Sequence, residues 1–186
     1  MIKFSRAWAM PDKDTFRIKP IKSLLDCYVG NGKDWIDPFA GNNSPAEITN
    51  DIDLLTKATY HCHAATFLSD FKCPGEFKGA IFDPPYSLRQ VKECYDRLGL
   101  DMSFEDSKGF PTNIKDKLSY LIRPGGLAIC CGWDSNGFGK QRGFELIEIL
   151  LVAHGGRHND TIITVESKIN GTLVPRVDSN ASASST

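Results

Sequence analysis

Four consecutive residues, Asp83-Pro84-Pro85-Tyr86, carry the most chemistry in this sequence. An amino group attached to an aromatic ring is a poor nucleophile, because its lone pair is delocalised into the ring. A carboxylate accepting one of its N–H bonds and a carbonyl accepting the other would pull the nitrogen toward a tetrahedral shape. The lone pair would then face an electrophilic methyl group. Asp83 supplies the carboxylate and Pro84 the carbonyl. The prolines fix φ and add no competing N–H donor, so both acceptors stay aimed. Tyr86 offers a ring face on which an extruded base can stack. The same residues can also form a plain Asp-Pro turn with a packed tyrosine. Their position after the apolar run Gly79-Ala80-Ile81-Phe82, at the carboxyl end of a strand, favours the chemical reading.

Two further segments end strands in the same manner. Asp37-Pro38-Phe39-Ala40-Gly41 closes the run Asp34–Asp37, and Gly41 permits close backbone approach to a ligand. It is not a GxGxxG fingerprint, and a turn around a buried Phe39 is the alternative. Asn50-Asp51-Ile52-Asp53 closes the run 47–51, and an acid at that point can accept hydrogen bonds from both hydroxyls of a ribose. Asp51 is preferred to Asp53 as nearer the strand end, although either can serve as a helix cap.

The elements that must position these residues alternate. Residues 20–29 read as a helix, with Pro20 in its first turn and Gly30 after its end. Strands are expected over 34–37, 47–51, 79–82 and 127–131. Helices are expected over 88–98 and 113–122, the second capped by Thr112 and stopped by Arg123-Pro-Gly-Gly126. Residues 144–153 and 161–165 flank His154-Gly-Gly156 and read as a terminal antiparallel hairpin. This pattern predicts one α/β domain, with a mostly parallel sheet and its ligands beyond the strands' carboxyl ends. About a dozen residues separate Asp37 from Asp51, so the crossover between them is expected to be truncated, with a single helical turn capped at Ser44-Pro-Ala-Glu47.

This set of motifs resembles the DPPY-type amino-methyltransferases of nucleic acids, the N6-adenine DNA methyltransferase family. Asp37–Gly41 corresponds to its motif I, Asp51 to motif II and Asp83–Tyr86 to motif IV, while Trp8-Ala-Met-Pro-Asp-Lys13 is loosely similar to motif X. Leu121–Leu127 is similar to the helix-to-strand turn of the wider methyltransferase superfamily. The likeness covers roughly residues 5 to 167. It implies a Rossmann-like domain that uses S-adenosylmethionine to methylate adenine N6 in DNA, with cytosine N4, RNA adenine or non-catalytic binding as alternatives. Asp83, Pro84, Pro85 and Tyr86 would be the catalytic group. Trp8, Asp37, Pro38, Phe39, Ala40, Gly41 and Asp51 would hold the cofactor. The acid that often meets the cofactor's adenine is missing. Among the nearest residues, His63, Ala65 and Thr66, only Thr66 is carried over to that contact. No inserted target-recognition domain fits between the motifs, so specificity would come from short segments, a homodimer or a specificity partner. The spare segments are 99–111 and 133–142, the latter glycine-rich and basic and able to touch phosphate.

Bulk properties agree with this outline. The 186 residues are 41% hydrophobic and 24% charged, ordinary for one globular domain. The methyltransferase domain is expected over 1–168, followed by a small polar tail over 169–186 that cannot bury enough surface to order itself. Part of that tail, Gly171-Thr-Leu-Val-Pro-Arg176, resembles an engineered protease site. Net charge is -1, yet residues 1–33 hold seven Lys/Arg against three Asp/Glu, a basic end compatible with phosphate contact. The six cysteines form no CxxC pair, and His61-Cys62-His63 with Cys73 matches no usual zinc spacing, so no metal is expected. Neither a membrane span nor a signal peptide is apparent, which predicts a cytoplasmic protein.

Overall fold

Apolar runs of six residues or fewer set the middle of the sheet. The computed structural model describes residues 1–101 and 110–169; most of the spare segment 99–111 and all but the first residue of the expected tail 169–186 lie outside the described residues. Strand β1 spans Lys3–Trp8, β2 Trp35–Asp37, β3 Ile48–Thr49, β4 Phe77–Phe82, β5 Ile122–Gly132, β6 Phe144–Ala153 and β7 Thr161–Lys168. Helix α1 spans Lys19–Tyr28, α2 Ala64–Ser69, α3 Leu88–Leu98 and α4 Phe110–Leu121. The seven strands form one sheet in the order β1-β6-β7-β5-β4-β2-β3. Every neighbouring pair is parallel except the two made by β7, which runs antiparallel to both β5 and β6. A mixed α/β sheet, mostly parallel with an antiparallel C-terminal hairpin, is the architecture expected from the sequence.

Each face of the sheet carries its own core. On one face Phe67 of α2 and Ile114, Leu118 and Leu121 of α4 pack with Phe77, Ala80 and Phe82 of β4. On the other, Ile21, Leu24 and Leu25 of α1 pack with Trp35, Ile81 and Ile129. Spacings of three and four residues put these positions on one stripe of each helix. Gly79 is fixed by this packing: a Cβ there would lie 2.7 Å from the Trp35 ring, so glycine lets the indole rest against β4.

Several local expectations are overturned by longer-range partners. No helical turn forms over 44–47. Ser44 Oγ donates to Asp37 Oδ2 at 2.6 Å, and Glu47 accepts from the Asp34 amide at 2.8 Å, so neither side chain is left to cap. The helix expected from Asn113 starts at Phe110, which places Thr112 inside its first turn rather than at its cap. Arg123–Gly126 does not end the element pair as a separate turn. It bulges within β5, where Phe77 and Gly79 of β4 face Ile122 and Leu127. Strand β1 was not expected: it lies on the sheet edge beside β6, and its side chains alternate only between half-buried and exposed, which leaves no period-two apolar signal. Among the described residues no helix is long and apolar enough to cross a membrane, and no group of three or more His, Cys, Asp or Glu is placed to hold a metal ion.

Candidate active site

Strands β2, β3 and β4 are parallel neighbours, so their carboxyl ends emerge on one side of the sheet. Asp37 ends β2, Asn50-Asp51 follows β3 and Asp83 follows β4. Above them lies an open cleft of about 680 Å³, within the range of small-molecule sites. Pro38–Asn43, Asn50–Asp53, Asp83–Tyr86 and one side of α3 line it. The segment Lys13–Phe16, whose Phe16 is anchored in the core, closes the remaining side.

At the β4 end, Tyr86 Oη donates to Asp83 Oδ1 at 2.5 Å, and the Thr15 hydroxyl also hydrogen-bonds the Asp83 carboxylate. Burial pushes the Asp83 pKa up to about 6, while these two bonds pull it back toward the ionised form. Burial, and then the Asp83 charge, hold the Tyr86 phenol far above its ordinary range, so it stays a donor. The Tyr86 amide donates to Gln90 Oε1 at 2.7 Å, which ties the motif to the first turn of α3. Ser87 caps that helix by accepting from the Gln90 amide. The Tyr86 ring meets the Trp133 ring edge-on at 5.5 Å. Tyr86 therefore braces the carboxylate through its hydroxyl, a second role beside the stacking surface expected from its ring.

The β2 and β3 ends are laced together. Asp37 is fully buried and lines no part of the cleft. Its oxygens accept from the Phe39 amide at 2.9 Å and from Ser44. It shapes the loop, and Pro38, Phe39, Ala40 and Gly41 form the wall. Gly41 has φ +53°, a left-handed conformation that favours glycine, and its amide donates to Asp51 Oδ2 at 2.9 Å. Asp51 Oδ1 accepts from the Asp53 amide at 2.9 Å. Asp53 also lines the cleft and lies 3.6 Å from Arg97 of α3.

Two residues carried over from the resemblance lie elsewhere. Trp8 is 64% exposed at the end of β1, with its indole nitrogen beside Gly155, and does not line the cleft. Thr66 is exposed on α2 and points away; the start of that helix puts His63 and Ala64 into the wall instead. The sequence reading missed Asn50, Thr15 and Gln90. Asn50 is buried, its amide group donating to the carbonyls of Pro38 and Cys62 and its oxygen accepting from the Cys62 amide. An asparagine directly before the strand-end acid was the available signal for it. Nothing local marks Thr15.

No family model matches the chain, and no curated protein matches its sequence. Two solved structures share its architecture. One is 1,6-didemethyltoxoflavin-N1-methyltransferase of Burkholderia thailandensis, solved with 1,6-didemethyltoxoflavin and S-adenosylhomocysteine, with a TM-score of 0.52 and 11% identity over 82% of this chain and 78% of that one. The other is TrmN from Thermus thermophilus, with a TM-score of 0.50 and 15% identity over 82% of this chain and 49% of TrmN. The fold is the Rossmann-like methyltransferase fold. The chain spans about half the length of TrmN, and at these identities the likeness extends to the fold alone.

Within this methyltransferase fold, Asp37 carries a testable electrostatic cost. Burial raises its pKa to about 7, and Asp83 and Asp51 add repulsion. A carboxyl group whose folded pKa exceeds its unfolded value gives stability that is complete below about pH 4 and lost as pH rises through about 7. The slope is roughly 1.4 kcal/mol per pH unit across that window. Asp37→Asn keeps the acceptor for the Phe39 amide, and Ser44 can turn to accept from the new amide. The variant is expected to flatten the fall in stability between pH 5 and pH 8 in urea denaturation. An equal fall in both proteins would mean that Asp37 does not titrate there.

Proposed function

We propose that the chain is an S-adenosylmethionine-dependent methyltransferase acting on the exocyclic amino group of a nucleic-acid base, with adenine N6 in DNA as its substrate. One observation carries the reading: the Asp83 carboxylate and the Pro84 residue stand in the same cleft wall, opposite an acid-ended loop suited to a nucleoside.

The residues present fit the cofactor. Asp51 already accepts one amide on each oxygen, and a carboxylate offers about four lone-pair sites, so each oxygen retains capacity for a ribose hydroxyl. Pro38–Gly41 would hold the methionine part. When bound, S-adenosylmethionine supplies an electrophilic methyl group. The chain's own task is to hold the acceptor. Asp83 and the Pro84 carbonyl accept the two amino N–H bonds and aim the nitrogen lone pair. Thr15 and Tyr86 keep the carboxylate oriented and charged. The nitrogen sheds its proton after transfer, so Asp83 need not be a strong base. A group with a pKa near 6 can take that proton and return it to solvent.

The test is methyl transfer from labelled cofactor into DNA, RNA, protein and free nucleoside pools. Label in adenine N6 of DNA supports the reading; label in RNA or in cytosine N4 relocates the substrate, and none in any pool leaves a binding module. Asp51→Ala is expected to weaken cofactor binding by about 1.5–3 kcal/mol, the range for hydrogen bonds to a charged group. Calorimetry finding equal affinity would remove Asp51 from the site.

A further inference from the structure

The loop joining β5 to β6 is glycine-rich, yet it is fastened at every turn. Buried Glu166 of β7 accepts the amides of Phe138 and Gly139, Lys115 donates to the Gly137 carbonyl at 2.6 Å, and Arg142 bridges Asp116 and the Phe138 carbonyl. Its two ends rest on the residues that flank Asp83. Trp133, 41% exposed, abuts Tyr86, and buried Phe138 meets Phe82 edge-on at 6.1 Å. The loop is thus held at a set place beside the cleft.

Between this loop and the start of α4 lies a second pocket of about 330 Å³. Its walls include Lys115, Lys140, Arg142, Thr112, Asn136 and Gln141, and no carboxylate is among the described lining residues. Lys115 and Arg142 spend their hydrogen bonds on the loop, but their charges remain. Lys140 is exposed and makes no ion pair with a described residue. A concave site with three cations and neutral hydrogen-bonding side chains suits a phosphate oxyanion.

We propose that this pocket binds a backbone phosphate of the nucleic-acid strand whose base enters the neighbouring cleft. The inference rests on the nucleic-acid reading given above. It assigns to a ten-residue loop the strand-holding role that an inserted domain would otherwise serve, with the exposed Trp133 lying between pocket and cleft.

The test uses the full chain and a fluorescein-labelled, adenine-containing single strand, with anisotropy read across a salt series. Lys140→Ala removes an exposed side chain, so thermal stability and cofactor affinity should match the parent. Binding of the strand should weaken at low salt, and the slope of log affinity against log salt should fall by about 0.7, as for one phosphate contact on a single strand. Inorganic phosphate should shift the Gly137 and Gly139 amide resonances in the parent and not in the variant. An unchanged slope, in a protein that does bind the strand, overturns the pocket and leaves the substrate reading standing. Amide shifts with phosphate, but no binding of the strand, would mean a free anion and would overturn both.

Discussion

Asp83→Ala is expected to reduce methyl transfer to near the detection limit while cofactor binding stays close to parental. Asp83 is the charged acceptor in the wall formed by the β4 end, and its bonds run to Tyr86 and Thr15, not to the Pro38–Gly41 loop or Asp51. Asp83→Asn is the finer probe. It keeps shape and one carbonyl acceptor but loses the charge, so single-turnover rates at saturating cofactor should fall by about 2.7–4 kcal/mol, or roughly 100- to 1000-fold. The same carboxylate sets the pH dependence. With a pKa of about 6 it is ionised above that point, so the rate should rise through pH 6 and level off. Tyr86→Phe removes a hydrogen bond that favours the charged form, so the rising limb should move to higher pH with little change at pH 9. Parental turnover in Asp83→Ala would reduce the motif to a structural turn.

What could be read from the sequence was what is local. The run into Asp83 is apolar, short and followed by two prolines, and each feature points to a strand end whatever surrounds it. Helices α1 and α3 announce themselves through Pro20, Ser87 and Gly99, the last at φ +67°. What was illegible depends on partners distant in the chain. Ser44 and Glu47 have the spacing of a capping box, but Asp37 and Asp34 take their side chains. Trp8 and Thr66 were placed by analogy of order along the chain. The β1 edge and the shortness of α2 carry both of them away from the cleft. Thr15 reaches Asp83 only because Phe16 beside it is anchored in the core formed by α1 and the sheet. That arrangement has no counterpart in residue spacing.

The same reasoning gives the second large effect. Asn50→Ala should both destabilise the fold and loosen the cofactor loop. Asn50 is buried, and its side chain satisfies the Pro38 carbonyl, the Cys62 carbonyl and the Cys62 amide at 3.0–3.1 Å. Its backbone holds Ala40 and Asp37 at 2.9 Å, so the residue stands between the β2 loop and the segment leading to α2. Truncation leaves three backbone groups without a partner in a site closed to water. Each unmade bond of this kind costs about 1–3 kcal/mol, and relaxation of the 60–62 segment would recover part of the total. A loss of at least about 3 kcal/mol in urea denaturation is therefore expected, large against the 5–15 kcal/mol of an ordinary domain. Asn50→Asp separates geometry from donor chemistry. It keeps the acceptor for the Cys62 amide but turns a charged oxygen toward two carbonyls, so it should be no better tolerated than alanine despite its matching shape. In both variants, whatever fraction stays folded should bind the cofactor more weakly than Asp83→Ala, because the Pro38–Gly41 wall is released while Asp83 is untouched. Parental stability in Asn50→Asp would mean that the two carbonyls find other donors and that the loop is held by its backbone alone.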